Sequence, residues 1–203
     1  MKTALTFILL ISIGTLSCKR GDSGVNPNDD MELLYQRFHG KYRIVSSISS
    51  QPLDVNFDGV FSTNLLSEIP GLGSNGAHLE LRVKYPDRSV FLFSQSWPEQ
   101  YVNTYTGPNP EWNGLDTLSY NPAYSVNYAN QAGPYRFSFS EDLRQIFVAA
   151  NEKADKIRWA RPESVFIEAR DQLRLINKRR IYTREGVKEV TITTLYERFT
   201  TIT

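Results

Sequence analysis

The chain is expected to fold as an all-β protein, an antiparallel up-and-down barrel preceded by one short helix. Three observations point there. Residues 78–85 alternate strictly, with Leu79, Leu81 and Val83 on one face and His78, Glu80, Arg82 and Lys84 on the other, the period of a half-buried strand. Short runs of strand-like composition recur to the C-terminus, separated by turn chemistry such as Pro86-Asp87 and Arg184-Glu185-Gly186. Aromatic residues make up 12% of the sequence against only two Met, which suits a sheet better than a helical bundle.

The chain opens with a leader. Lys2 supplies a positive start, an apolar run from Ala4 to Leu16 is too short to span a bilayer as a stable helix, and small residues lead into Cys18, the only cysteine. Residues 1–17 therefore read as an export signal. They resemble the signals of bacterial lipoproteins, which are cut just before a cysteine that carries diacylglycerol; that family has its Leu three residues before the cysteine, whereas Leu16 stands two before. Thr15 and Ser17 also suit an ordinary signal peptidase, which would leave Cys18 as a free thiol. On the lipoprotein reading Cys18 is the lipidation site. The protein is then held at the bacterial outer membrane by acyl chains rather than by a span, facing the periplasm or the cell surface. Residues 18–30 are polar and without apolar periodicity, a flexible tether.

Residues 31–203 are expected to form one domain. The chain has 23 basic and 22 acidic residues, and Lys2 leaves with the signal, so the exported part is neutral. Neutrality leaves no electrostatic footprint for nucleic acid. One cysteine allows no internal disulfide, so apolar burial must hold the fold.

A helix is predicted first. Asp29 and Glu32 have capping-box spacing, Met31, Leu34, Tyr35 and Phe38 recur on one face, and Gly40 ends the pattern. Strands are predicted over 42–49, 78–85, 89–96, 124–130, 135–140, 143–149, 164–169, 173–182 and 187–199, with turns at 132–134, 141–142, 170–171 and 184–186. A sheet that wide can curl and close, which removes its vulnerable edges. Two connections, 51–76 and 97–122, are long for hairpins, and such loops tend to be functional.

With these elements in place, the chain resembles the lipocalin-like family, in particular the bacterial lipocalin-like lipoproteins. A short helix precedes Gly40-Lys41-Tyr42, similar to the family's Gly-x-Trp with Tyr in place of Trp. The first interstrand loop is the large one, as in lipocalins, where it lids the open end. The last strand ends Leu195-Tyr196-Glu197-Arg198-Phe199, and by the resemblance Arg198 would lie over Tyr42 as a cation–π pair closing the barrel floor. No helix follows the last strands, as one does in typical lipocalins.

Four groups of residues could carry chemistry. Asp54, Asn56 and Asp58, in Asp-Val-Asn-Phe-Asp-Gly, have the spacing that converges side-chain oxygens on calcium, but the twelfth position is Leu65 rather than a bidentate acid. The competing reading is an Asp-Gly turn leading into a helix capped by Ser62 and stopped by Pro70. Trp97, Tyr101, Tyr105, Trp112 and Tyr120 crowd the second long loop, where flat faces either stack on a ligand or pack the loop on the barrel. Strand parity from Leu173 and Leu175 would turn Asn177 and Arg179 inward, giving a cation for a carboxylate-bearing ligand, although a bulge near Asn177 that leaves the basic cluster in solvent is the favoured expectation.

Enzyme constellations are missing from the sequence: there are two His, no Gly-x-Ser-x-Gly elbow and no phosphate loop. The expected function is binding of a small apolar or amphipathic ligand in the barrel mouth under the 51–76 loop, with Trp97, Tyr101, Trp112 and Arg179 as ligand residues. The alternative is a filled barrel that contacts protein or glycan through the 97–122 loop. Bulky inward side chains favour the filled barrel, and His78 or an inward Arg beside a carboxylate in one pocket would reopen catalysis. The oligomeric state is not legible.

Overall fold

Gly40 marks the junction between helix and barrel. In the computed structural model, which describes residues 27–83, 91–150 and 161–203, its φ is +139°, and a Cβ there would run into the main-chain oxygen of Thr200. Only glycine lets the two strands approach so closely. Cys18, the leader, most of the tether and the Pro86-Asp87 turn lie outside the described residues.

Helix α1 (Pro27–Phe38) lays Leu34, Tyr35 and Phe38 on the core, the face its periodicity predicts, with the Phe38 ring 4.6 Å from that of Phe139. It begins two residues before Asp29, whose side chain lies outside the described residues. Strands follow as β1 (Gly40–Leu53), β2 (Ser62–Asn64), β3 (His78–Arg82), β4 (Leu92–Asn103), β5 (Ser125–Phe139), β6 (Gln145–Val148), β7 (Ser164–Ala169), β8 (Gln172–Thr183) and β9 (Gly186–Thr200). All pairings are antiparallel, and β1 pairs with β9, so β1 and β3 to β9 close an eight-stranded barrel of lipocalin-like architecture. The two-residue contact of β2 with β1 sits outside that ring.

The strand map departs from the sequence expectation in instructive places. Residues 132–134 form no turn: the β4–β5 register runs unbroken from Leu92↔Arg136 to Asn103↔Ser125, fusing two expected strands. Pairing with β6 starts only at Phe137, so Pro134 removes no ladder bond on that edge. Pro98 is tolerated on the same ground, because β3 pairs with β4 only from Leu92 to Gln95. The second long connection consequently shrinks to residues 104–124. Within the first, Asn64 rather than Ser62 caps the short helix α2 (Leu65–Glu68), accepting the Leu66 N–H at 3.2 Å.

The lower barrel is an apolar plug. Tyr42, Leu79, Leu81, Phe93, Leu173, Leu175 and Tyr196 are all at most 1% exposed, and burial of this kind contributes roughly 25 cal/mol per Å². Burial pushes the Tyr42 phenol well above its usual range; its O–H donates to the Phe38 carbonyl at 2.8 Å. Tyr42 and Arg198 are cross-strand partners in the β1–β9 register. The Arg198 guanidinium, however, donates to the carbonyls of Gln36 and His39 and pairs with Asp171, so it clasps the end of α1.

Candidate ligand-binding site

The upper barrel is built differently because two of its strands are short. β6 and β7 pair only near the floor, with residues 137–139 of β5 and 172–176 of β8. Among the described residues, 125–135 of β5 and 177–183 of β8 have no strand on their outer sides. A side chain from β4 meets the outer side of β8 there. Gln100 accepts the Tyr182 N–H at 2.7 Å and donates to the Tyr182 carbonyl at 2.9 Å, acting as a one-residue strand.

Beneath it the interior becomes polar. The β8–β9 register runs from Gln172 to Thr183 without a shift, so the bulge expected near Asn177 does not form. Strand parity therefore holds, and Asn177 and Arg179 are buried at 1% and 7% exposure. Asn177 exchanges two hydrogen bonds with Gln95 (3.2 and 3.1 Å), and Gln95 also donates to the Tyr196 hydroxyl at 3.0 Å. Desolvation pushes that hydroxyl up to about 12. Arg179 pairs with Glu99, and its guanidinium carbon lies 4.4 Å from the Trp97 ring centroid. Its Nε–H is buried and has no hydrogen-bond acceptor.

Arg179, Glu99 and Trp97 wall a cavity of about 220 Å³ between β4 and β8, lined also by Gln100, Trp112 and Ile181 among others. Trp112 arrives from the 104–124 loop, anchored by its backbone N–H on the Val102 carbonyl (2.8 Å) and its indole N–H on the Asp116 carbonyl (2.8 Å). The loop is in turn fastened to the β8–β9 turn. The Val187 N–H donates to the Leu118 carbonyl at 2.9 Å, and the Asn121 N–H donates to the Tyr182 hydroxyl at 2.9 Å. At Gly186 a Cβ would come within 2.7 Å of that same Leu118 oxygen, so the glycine lets loop and turn meet.

Three of the four residues singled out for ligand contact, Trp97, Trp112 and Arg179, thus converge on one cavity. Tyr101 does not line it; its hydroxyl accepts from Gln131 at 3.0 Å. Asp54, Asn56 and Asp58 lie elsewhere, in the loop leaving β1. No family model, curated protein or solved structure matches the chain. Function must therefore be argued from the site alone.

The barrel mouth holds a second groove of about 360 Å³ under the first long loop, walled by Phe57, Tyr120, Tyr124, Tyr128 and Tyr182. Its rings pack on one another, with Phe57 5.9 Å from both Tyr120 and Tyr182. Among the described residues the axis below is filled by Tyr42, Phe93 and Tyr196, and the space under the first long loop is lined mainly by aromatic rings. Sequence reasoning missed Glu99 and Gln100. Their partners lie 80 and 82 residues away, and an isolated acid or amide in a strand carries no local signal.

Proposed function

We propose that the domain binds a small amphipathic ligand in the cavity between β4 and β8. The supporting observation is the convergence there of two tryptophans and a buried arginine whose Nε–H has no acceptor. An unmatched buried donor costs about 1–3 kcal/mol, and an oxygen-bearing head group on the ligand would recover that. The ligand's flat or apolar body would lie on Trp97 and Trp112, whose faces bury area without needing hydrogen bonds. At about 220 Å³ the space falls below the roughly 300 Å³ at which drug-sized pockets begin, so the ligand is small.

The Arg179–Glu99 pair is the conjunction that would have reopened catalysis. Its fit to binding is better: each charge orients the other, and together they offer a donor and an acceptor to one polar head. A second reading is favoured by the plugged axis: a filled barrel that contacts a partner through the 104–124 loop, where Tyr105 and Leu115 are exposed. We also propose export and lipid anchoring at Cys18, a reading supported by the leader sequence. Cys18→Ser should then move the protein from the membrane to the soluble fraction, and an unchanged membrane fraction would remove the anchor.

Native mass spectrometry of gently purified protein tests the ligand. A small organic mass that leaves on denaturation, and is absent from Trp112→Ala, supports the cavity reading. A bare mass that stays unchanged with added small carboxylates and amides would leave the loop-contact reading in its place.

A further inference from the structure

The loop that leaves β1 contains a carboxylate oxygen buried without a partner. Asp54 is fully buried, and its Oδ1 accepts no hydrogen bond. Its Oδ2 accepts the Gly59 N–H at 3.0 Å, which turns the carboxylate toward the ring formed by residues 54–59. The neighbouring cation does not answer Oδ1. Arg184 Nη1 stands 3.6 Å from Oδ2, the oxygen already engaged, and its side chain is 46% exposed.

The same ring gathers other oxygens. Asn56 Oδ1 accepts the Asp58 N–H at 3.0 Å, and Asp58 Oδ1 accepts the Val60 N–H at 2.7 Å. Each of these oxygens keeps a further lone pair. Phe57 (φ 65°) and Gly59 (φ 87°) take left-handed conformations that wind the chain around the ring. We propose that this loop binds one calcium ion. Asp54 Oδ1 would be the buried ligand, joined by side-chain oxygens of Asn56 and Asp58 and by the Val60 carbonyl.

The donor set selects the ion. All donors are oxygens on a winding loop, which suits a hard cation with flexible geometry; magnesium needs a near-ideal octahedron, and zinc prefers the nitrogen and sulfur ligands that this loop lacks. Only two of the donors are acids, Arg184 lies beside one of them, and no cluster of three His, Cys, Asp or Glu forms among the described residues. Low ligand charge places affinity in the weak range, on the order of 10⁻⁴ to 10⁻³ M, as in extracellular calcium modules. The ion would fasten the lid. Val55, next to Asp54, donates its N–H to Glu68 Oε2 at 2.9 Å and takes the Tyr128 hydroxyl on its carbonyl at 3.5 Å, so the loop is tied both to α2 and to β5. This site is separate from the cavity between β4 and β8, and neither proposal depends on the other.

The test is isothermal titration calorimetry of the natively purified, EDTA-stripped protein with calcium chloride, alongside magnesium chloride and thermal melting in each. The expected result is one saturable calcium site, at least tenfold weaker magnesium binding, and a melting temperature that rises with calcium. Asp58→Asn should weaken calcium at least tenfold beyond any change in its calcium-free melting temperature, which is recorded because Asp58 Oδ2 also accepts from the Asn56 amide at 3.0 Å; Asp54→Asn should remove the heat altogether. Absence of saturable heat up to 10-fold above the predicted range, equal responses to both ions, or wild-type binding by Asp58→Asn would each overturn the proposal.

Discussion

The floor and the upper wall of this barrel are made from the same strands yet obey different rules. Near the floor all eight strands pair, and the interior is hydrocarbon and rings from Tyr42 to Leu175. Higher up, among the described residues, β6 and β7 no longer pair with their neighbours, and the interior carries Gln95, Asn177, Glu99 and Arg179. Apolar floor contacts are individually replaceable and sum to stability. The polar groups above must each find a partner, and that requirement fixes their geometry tightly enough to recognise something. Where Arg179 falls one acceptor short, the wall also holds its cavity. The difference teaches that the proposed site sits where apolar filling gives way to paired polar side chains.

The comparison can be broken most severely at the floor. Leu81→Ala leaves a void in a fully buried site and should cost about 2–5 kcal/mol in urea or guanidinium unfolding. An effect below about 1 kcal/mol would mean that the floor is not the stabilising half. Alkali should act next. Burial holds the Tyr42 phenol above its normal range and pushes Tyr128 and Tyr196 up to about 12, so all three are neutral in the folded protein beyond pH 10. A raised folded-state pKa gives stability that is complete below the unfolded value near 10.0 and is lost as pH climbs toward the folded values. Each phenol contributes a slope of up to about 1.4 kcal/mol per pH unit there. Unfolding free energy measured from pH 9 to 12 should therefore be level and then fall; a level curve throughout would contradict the burial.

Polar substitutions sharpen the contrast. Gln95→Ala takes a partner from both Asn177 and the Tyr196 hydroxyl and should cost about 1–3 kcal/mol, whereas adding Tyr196→Phe, which removes the hydroxyl left without Gln95, should recover part of that loss. Equal losses would show that the network is only packing. At the outer surface the effect should nearly vanish. Glu197→Gln breaks the Arg43 pair, 58% and 37% exposed on its two side chains, and should shift stability by about 1 kcal/mol at most.

Much of the floor was legible in the sequence. Alternation at Leu79 and Leu81, parity at Leu173 and Leu175, and the α1 face at Leu34, Tyr35 and Phe38 are local patterns, and local patterns survive folding. The upper wall was legible only in part. Parity pointed Arg179 inward, yet a buried arginine looked too costly without a visible partner, so a bulge was expected in its place; Glu99 supplies that partner from 80 residues away. Ala132-Gly133-Pro134 carries turn chemistry and still runs through β5, because it pairs with β4 along its whole length and the β6 ladder begins only at Phe137, so Pro134 interrupts no β6 bond. Gln100 could not have been found at all, since its partner is the main chain of Tyr182 rather than any side chain.

Tryptophan fluorescence addresses the central claim most directly, because Trp97 and Trp112 themselves wall the cavity. The titrants would be a small aromatic carboxylate and its uncharged alcohol, run against wild type, Arg179→Met and Arg179→Lys, with each variant's fold checked by its melting curve. The account predicts saturable quenching by the carboxylate, binding of the alcohol at least tenfold weaker, and loss of that preference in Arg179→Met with partial retention in Arg179→Lys. Equal binding of both compounds, or a preference that survives in folded Arg179→Met, would contradict a ligand site organised by this arginine.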